Sequence, residues 1–171
     1  RRSVSHPAAV PAGLRDAVDG DHVRRVPHEE LSLLCELADR VVVGVGRRLA
    51  VVSDVTTHEV LGQRVEGSLA SLYDVTSIVL PKNPYPDGET VEKIRLATVK
   101  CDAVIAVGSG TINDVCKYGS AQDKKPYAVF ATAPSMNGYT SVNAAITMHG
   151  HKMSLAAQAP TGAFFDLGVL A

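Results

Sequence analysis

Apolar residues along this chain fall into two rhythms. Short, largely unbroken runs at 41–43, 49–52, 76–80, 102–107 and 127–131 predict strands covered on both faces, because a strand with one wet face would alternate. Between them the period lengthens. Residues 57–73 carry Val60, Leu61, Val65, Leu69 and Leu72 at helical spacing, and 89–100 carries Val91, Ile94, Leu96 and Ala97 on a face expected to turn inward. Residues 29–39 also read as helix, and 144–152, with Gly150 inside it, as a hairpin tip. Strands alternating with helices predict an α/β fold, a doubly wound parallel sheet. One link breaks the pattern. The run 41–43 reaches 49–52 across too few residues for a parallel crossover, which needs about a dozen. Residues absent between Gly46 and Arg47 are the expected explanation.

Ligands in such sheets bind at the carboxyl ends of the strands, and three predicted strands end in polar groups. After 102–107 comes Gly108-Ser109-Gly110-Thr111, followed by a helix-compatible run. Two glycines let backbone N–H groups approach a phosphate, and the helix start adds the positive end of its dipole. Ser109 and Thr111 can donate hydroxyl hydrogen bonds to the same anion. The turn is neither the GxGxxG fingerprint, since position 113 is Asn, nor a P-loop, since no Gly-Lys-Ser/Thr follows. A plain βα turn that uses glycine for geometry is the alternative. The run 49–52 leads to Asp54, which can take both hydroxyls of an adenosine ribose and repel a 2′-phosphate. It can equally cap the helix that follows. The run 127–131 leads into residues 132–141, rich in Thr and Ser.

Composition narrows the partners. The chain has 171 residues and a net charge of −1, which gives no electrostatic case for nucleic acid or an anionic membrane. No apolar run is long enough to span a bilayer and no secretory pattern stands out, so a cytoplasmic location is expected. Cys35, Cys101 and Cys116 are widely spaced and read as reduced thiols, with Cys116 buried on the helix after the glycine turn. His149 and His151 are the only close histidine pair, without a third ligand nearby; His6, His22, His28 and His58 read as scattered and solvated. Lys124 and Lys125 read as a solvated turn. No serine nucleophile elbow is present.

Three segments carry a resemblance. Val-Val-Ser-Asp-Val-Thr-Thr (51–57), Ala-Val-Gly-Ser-Gly-Thr-Ile-Asn-Asp-Val-Cys-Lys-Tyr (106–118) and Ala-Thr-Ala-Pro-Ser-Met-Asn-Gly-Tyr-Thr-Ser (131–141) occur in the order found in the sn-glycerol-1-phosphate dehydrogenases. These are grouped with glycerol dehydrogenases, iron-containing alcohol dehydrogenases and 3-dehydroquinate synthases. The chain, from about residue 40 onward, is similar to their N-terminal half. The resemblance implies a Rossmann-like NAD-binding domain over 41–171, preceded by an N-terminal extension and helix over 1–40. It further implies an NAD(P)-dependent oxidoreductase acting on dihydroxyacetone phosphate, with a divalent metal, zinc in most members, polarising the carbonyl. By position, Asp54 would hold the adenosine ribose, and Gly108, Ser109, Gly110 and Thr111 the pyrophosphate. Thr132, Ser135 and Ser141 would line the cofactor cleft, while Asn137 and Lys152 would face the substrate. Asn137 departs from the pattern, which has Asp there; the amide keeps hydrogen bonding and loses the charge. The metal ligands, one Asp and two His, are expected beyond residue 171, with Asp166 a strand residue before them. Residues are also expected upstream of Arg1. A surface expected to face a second domain makes a homo-oligomer the expected state. Two other readings stay open: a sister enzyme on the same fold, or a truncated nucleotide-binding module without catalysis.

Overall fold

The computed structural model describes residues 46–170 and, by their backbone, residues 25 and 26. The expected helix 29–39, the run 41–43, the boundary near residue 40, Cys35, His6, His22 and His28 lie outside the described residues.

Strand β1 (Arg25–Val26) was not expected from the sequence; it is too short to carry a pattern. Strand β2 (Arg48–Asp54) leads directly into helix α1, built from an α-turn (Val55–Thr57), a π-helical stretch (His58–Gly62) and an α-helical part (Gln63–Leu69). Strand β3 (Asp74–Leu80), helix α2 (Gly88–Ala97), strand β4 (Ala103–Gly108), helix α3 (Gly110–Gln122) and strand β5 (Tyr127–Ala131) follow. Strands β6 (Asn143–Met148) and β7 (His151–Ala156) form the expected hairpin, an antiparallel ribbon of its own. Strand β8 (Gly162–Asp166) returns to the main sheet and ends in the short helix α4 (Leu167–Leu170). The main sheet runs β1-β8-β5-β4-β2-β3 with every pairing parallel.

The unbroken apolar runs now have their reason. In β2, Leu49 and Val51 face one core with Leu61, Val65 and Leu69 of α1, whereas Ala50 and Val52 face a second core with Val91, Ile94, Ile112 and Val115 of α2 and α3. Helices cover both faces, so no alternation survives in β2, β4 or β5. Each fully buried Leu, Ile or Val among them contributes about 1.5–3 kcal/mol.

The helices depart from expectation in phase. Leu61, Val65 and Leu69 are buried, but Val60 is 46% exposed and Leu72 48%. Val60 lies off the i, i+4, i+8 row that Leu61, Val65 and Leu69 share, and the helix ends at Leu69, short of Leu72. In helix α2 the buried row is Val91, Ile94 and, just past its end, Thr98, which leaves Leu96 67% exposed on the opposite side. Strand β3 lies at the sheet edge and is wet along much of its length.

Candidate active site: polar strand ends on the parallel sheet

The register brings the three polar strand ends to one level. Val52 pairs with Ala106, which sets Asp54 in step with Gly108, and Gly108 pairs with Ala131, one residue before Thr132. Thr132 N–H donates to the Gly108 carbonyl at 3.2 Å. A ligand laid across β2, β4 and β5 therefore meets Asp54, the glycine turn and the 132–142 loop in that order.

The two glycines do different work. A Cβ at Gly108 would lie 2.5 Å from Ile112 Cβ, so this glycine lets α3 settle against the strand rather than letting an anion approach. A Cβ at Gly110 would meet only the Met136 Sδ, at 3.1 Å, and glycine there keeps the amide edge of the first turn open. Ser109 is the N-cap of α3, yet its side chain makes no capping bond; the first helical bond is Asn113 N–H to the Ser109 carbonyl, 2.9 Å. The first-turn N–H groups thus keep the exposed positive end that a phosphate needs. Ser109, Gly110 and Thr111 are half-buried, and this cradle fits a pyrophosphate.

Asp54 caps α1. Its Oδ1 accepts from Thr57 N–H at 2.9 Å, and Asp54 N–H donates to Thr57 Oγ1 at 3.0 Å, a reciprocal capping box. Its Oδ2 has no hydrogen-bond partner among the described residues. The capping alternative is realised, and one oxygen remains for a ribose. Nearby His58 is not solvated as expected: its Nδ1 lies 3.4 Å from the buried Ser53 Oγ and 3.5 Å from Glu66 Oε1.

The loop after β5 is exposed at Ser135 and Asn137 but firmly anchored around them. Tyr139 is buried; its hydroxyl donates towards the carbonyls of Ala133 (3.1 Å) and Gly108 (3.4 Å) and accepts from Ala133 N–H (3.3 Å). Its ring meets Phe165 edge-on at 5.4 Å. Ser141 Oγ accepts from Asn143 N–H at 3.0 Å. From the other side, the fully buried Lys117 Nζ donates to the carbonyls of Gly138 (2.8 Å) and Asn143 (3.3 Å). Asp114, 3.8 Å from that ammonium, accepts from Ala145 N–H on β6 and from Asn113 Nδ2, both at 3.2 Å. The Tyr127 hydroxyl closes the network on Asn113 Oδ1 at 3.2 Å. Burial pushes the Asp114 carboxyl up and the Lys117 ammonium down, and each partly offsets the shift of the other. Burial also raises the phenols of Tyr127 and Tyr139 and the thiol of Cys116.

Asp54, Gly108, Ser109, Gly110, Thr111 and Thr132 are thus brought to one edge. Ser135, Asn137 and Ser141 sit on the adjoining loop. Lys152 is exposed on β7, and its charge slightly offsets the rise that burial imposes on Asp114. Tyr139, Lys117, Asp114 and Asn113 carried no expected role; the signal available was polar residues at 113, 114 and 117 on an otherwise buried helix. Lys125, expected in solvent, instead donates through Nζ to the Thr98 carbonyl. His149 lies in the β6–β7 turn and His151 on β7, both exposed. Among the described residues no three His, Cys, Asp or Glu side chains come together to hold a metal ion. No helix among them is long and apolar enough to cross a membrane.

The sequence profile described as iron-containing alcohol dehydrogenase matches residues 31–171. The chain is 30% identical over 161 residues to a glycerol-1-phosphate dehydrogenase [NAD(P)+] of Bacillus subtilis, covering 88% of this chain and 41% of that protein. It is 33% identical over 157 residues to a protein of the same name from Thermococcus kodakarensis, covering 87% and 44%. The chain therefore spans about two fifths of the length of the curated relatives it matches. Among solved structures it superposes on glycerol dehydrogenase from Schizosaccharomyces pombe with a TM-score of 0.70 at 18% identity, covering 85% of this chain and 37% of that one. It also superposes on 2-deoxy-scyllo-inosose synthase with a TM-score of 0.72 at 14% identity, covering 86% and 44%.

Proposed function

Because this chain belongs to the iron-containing alcohol dehydrogenase family, we propose that it is the cofactor-holding part of an NAD(P)-dependent oxidoreductase. The proposed reaction is the interconversion of dihydroxyacetone phosphate and sn-glycerol 1-phosphate, a reading supported by relatives that bear the name glycerol-1-phosphate dehydrogenase [NAD(P)+]. One observation supports the cofactor reading above the others: the uncapped start of α3 behind an open glycine turn, level with Asp54 on the same sheet edge. Asp54 Oδ2 accepts from the adenosine ribose, and the first-turn amides of α3 with the Ser109 and Thr111 hydroxyls hold the pyrophosphate. Thr132, Ser135 and Ser141 line the remainder of the cleft. The bound dinucleotide supplies or takes up the hydride. Asn137 donates or accepts a hydrogen bond at the substrate without adding charge, and Lys152 meets its phosphate as a point charge. A divalent metal, expected to be zinc, finds no ligand set among the described residues, so this chain's own part is to hold cofactor and substrate. A cytoplasmic homo-oligomer completes the reading.

Calorimetric titration of the complete protein with NADH tests it. Gly110→Val puts a branched side chain where the pyrophosphate sits, and NADH affinity is expected to fall more than about tenfold while the melting temperature holds. Unchanged affinity rejects the cradle. NADH oxidation dependent on dihydroxyacetone phosphate, with zinc supplied, separates this substrate from glycerol and other alcohols.

A further inference from the structure

Lysine is almost never fully buried unless its ammonium is paired, because desolvating the charge is costly. Lys117 is fully buried in the middle of α3. Its neighbours Ile112, Val115 and Cys116 show that apolar residues fill the inward faces of this helix well, so packing alone does not call for a charge here. The acceptors of that charge are informative. Lys117 Nζ reaches the Gly138 carbonyl at 2.8 Å and the Asn143 carbonyl at 3.3 Å, both outside its own helix. Gly138 follows Asn137 directly, and Asn143 stands two residues after Ser141. Asp114, one turn earlier on α3, holds the next segment through Ala145 N–H. Neither Asn137 nor Ser141 is buried, and Asn137 makes no hydrogen bond of its own among the described residues. Their placement is set by the backbone on either side of them.

We propose that Lys117 is a positioning residue: from inside α3 it clamps the 132–142 loop by the Gly138 and Asn143 carbonyls, so that Asn137 and Ser141 stand fixed at the nicotinamide end of the cofactor. This rests on the cofactor reading above. The clamp ties the far end of the loop to the same helix whose first turn holds the pyrophosphate. Asp54 lies across the sheet on β2, so the adenosine end is outside its reach.

The test uses Lys117→Met in the complete protein, a straight-chain replacement without charge. Amide hydrogen exchange in 134–142 is expected to quicken about tenfold or more, while β4 and β5 keep their protection. NADH affinity is expected to fall about tenfold, whereas ADP-ribose, which lacks the nicotinamide, loses less than about threefold. Lys117→Gln, which keeps donors without the charge, is expected to fall between. Unchanged loop exchange overturns the proposal, and so does an equal loss for NADH and ADP-ribose, which would make Lys117 a core residue only. If neither variant folds, Lys117 is required by the fold as a whole and the positioning role is rejected. If the wild type binds neither nucleotide, the cofactor reading fails, and loop exchange still decides the clamp.

Discussion

At Asp54 one carboxylate oxygen is committed to the helix and the other is not. The Oδ1–Thr57 bond makes this residue a cap whatever else it does, so a loss of function on removing it would be ambiguous. Two substitutions separate the roles. Asp54→Ala removes cap and charge together and is expected to destabilise the fold by about 0.5–2 kcal/mol. Asp54→Ser keeps a capping oxygen and removes the charge that repels a 2′-phosphate. Asp54→Ser is therefore expected to leave the melting temperature near wild type while the preference for NADH over NADPH narrows about tenfold. Calorimetry with both nucleotides on each variant reads the two effects apart. A preference that stays constant in both variants would leave Asp54 as a cap alone.

At the scale of elements, α3 organises the site from both ends of its contact surface. Its start forms the cradle, and its middle holds the loop. Its seat against β4 depends on Gly108, where even one methyl group would reach within 2.5 Å of Ile112 Cβ, an atom fixed to the helix backbone. Gly108→Ala is expected to push the first turn of α3 outward, costing about 1–3 kcal/mol by overpacking. NADH binding should weaken with it, because the cradle moves. Thermal melting beside NADH titration checks this, and a melting point equal to wild type would show that Ile112 yields freely. The same helix marks how far the sequence could be read. Strands β2, β4 and β5 were legible because burial on both faces leaves an unbroken apolar run, and the glycine turn between β4 and α3 was legible because its parts are contiguous. Val60 and Leu96 were misread because each lies off the row its buried neighbours share, 61-65-69 for the one and 91-94-98 for the other. Lys117 gave only the hint of a cation on a buried helix, since its partners stand 21 and 26 residues away and only the fold brings them near.

Among the described residues, polar groups gather at both ends of the central strands of the sheet. The carboxyl edge carries the residues proposed to hold the cofactor. On the opposite edge, where β2 and β4 begin, Arg48 Nη2 donates to Asp102 Oδ1 at 2.7 Å while Arg48 Nε and backbone N–H both donate to Asp102 Oδ2. The guanidinium and the amide hold the Asp102 carboxyl at about 2, below its ordinary 3.8. A carboxylate with a depressed folded-state value stabilises the fold above its unfolded value, and that contribution is lost as pH falls through the folded one. The window here runs from about pH 4 down to about pH 2. Asp102→Asn removes the titrating group, so at neutral pH it is expected to melt below wild type, and the gap between the two should close as pH falls from 4 to 2. Because the bridge is partly solvated and ionic, salt should shrink the gap at neutral pH as well. Melting curves of both proteins across that range decide it. A gap of constant size would mean that Asp102 acts through packing and its backbone contact rather than through its charge. NADH affinity at neutral pH should be the same in both, since the bridge lies a strand's length from the cradle, and a loss of binding in Asp102→Asn would show that the two edges are coupled through β2 and β4.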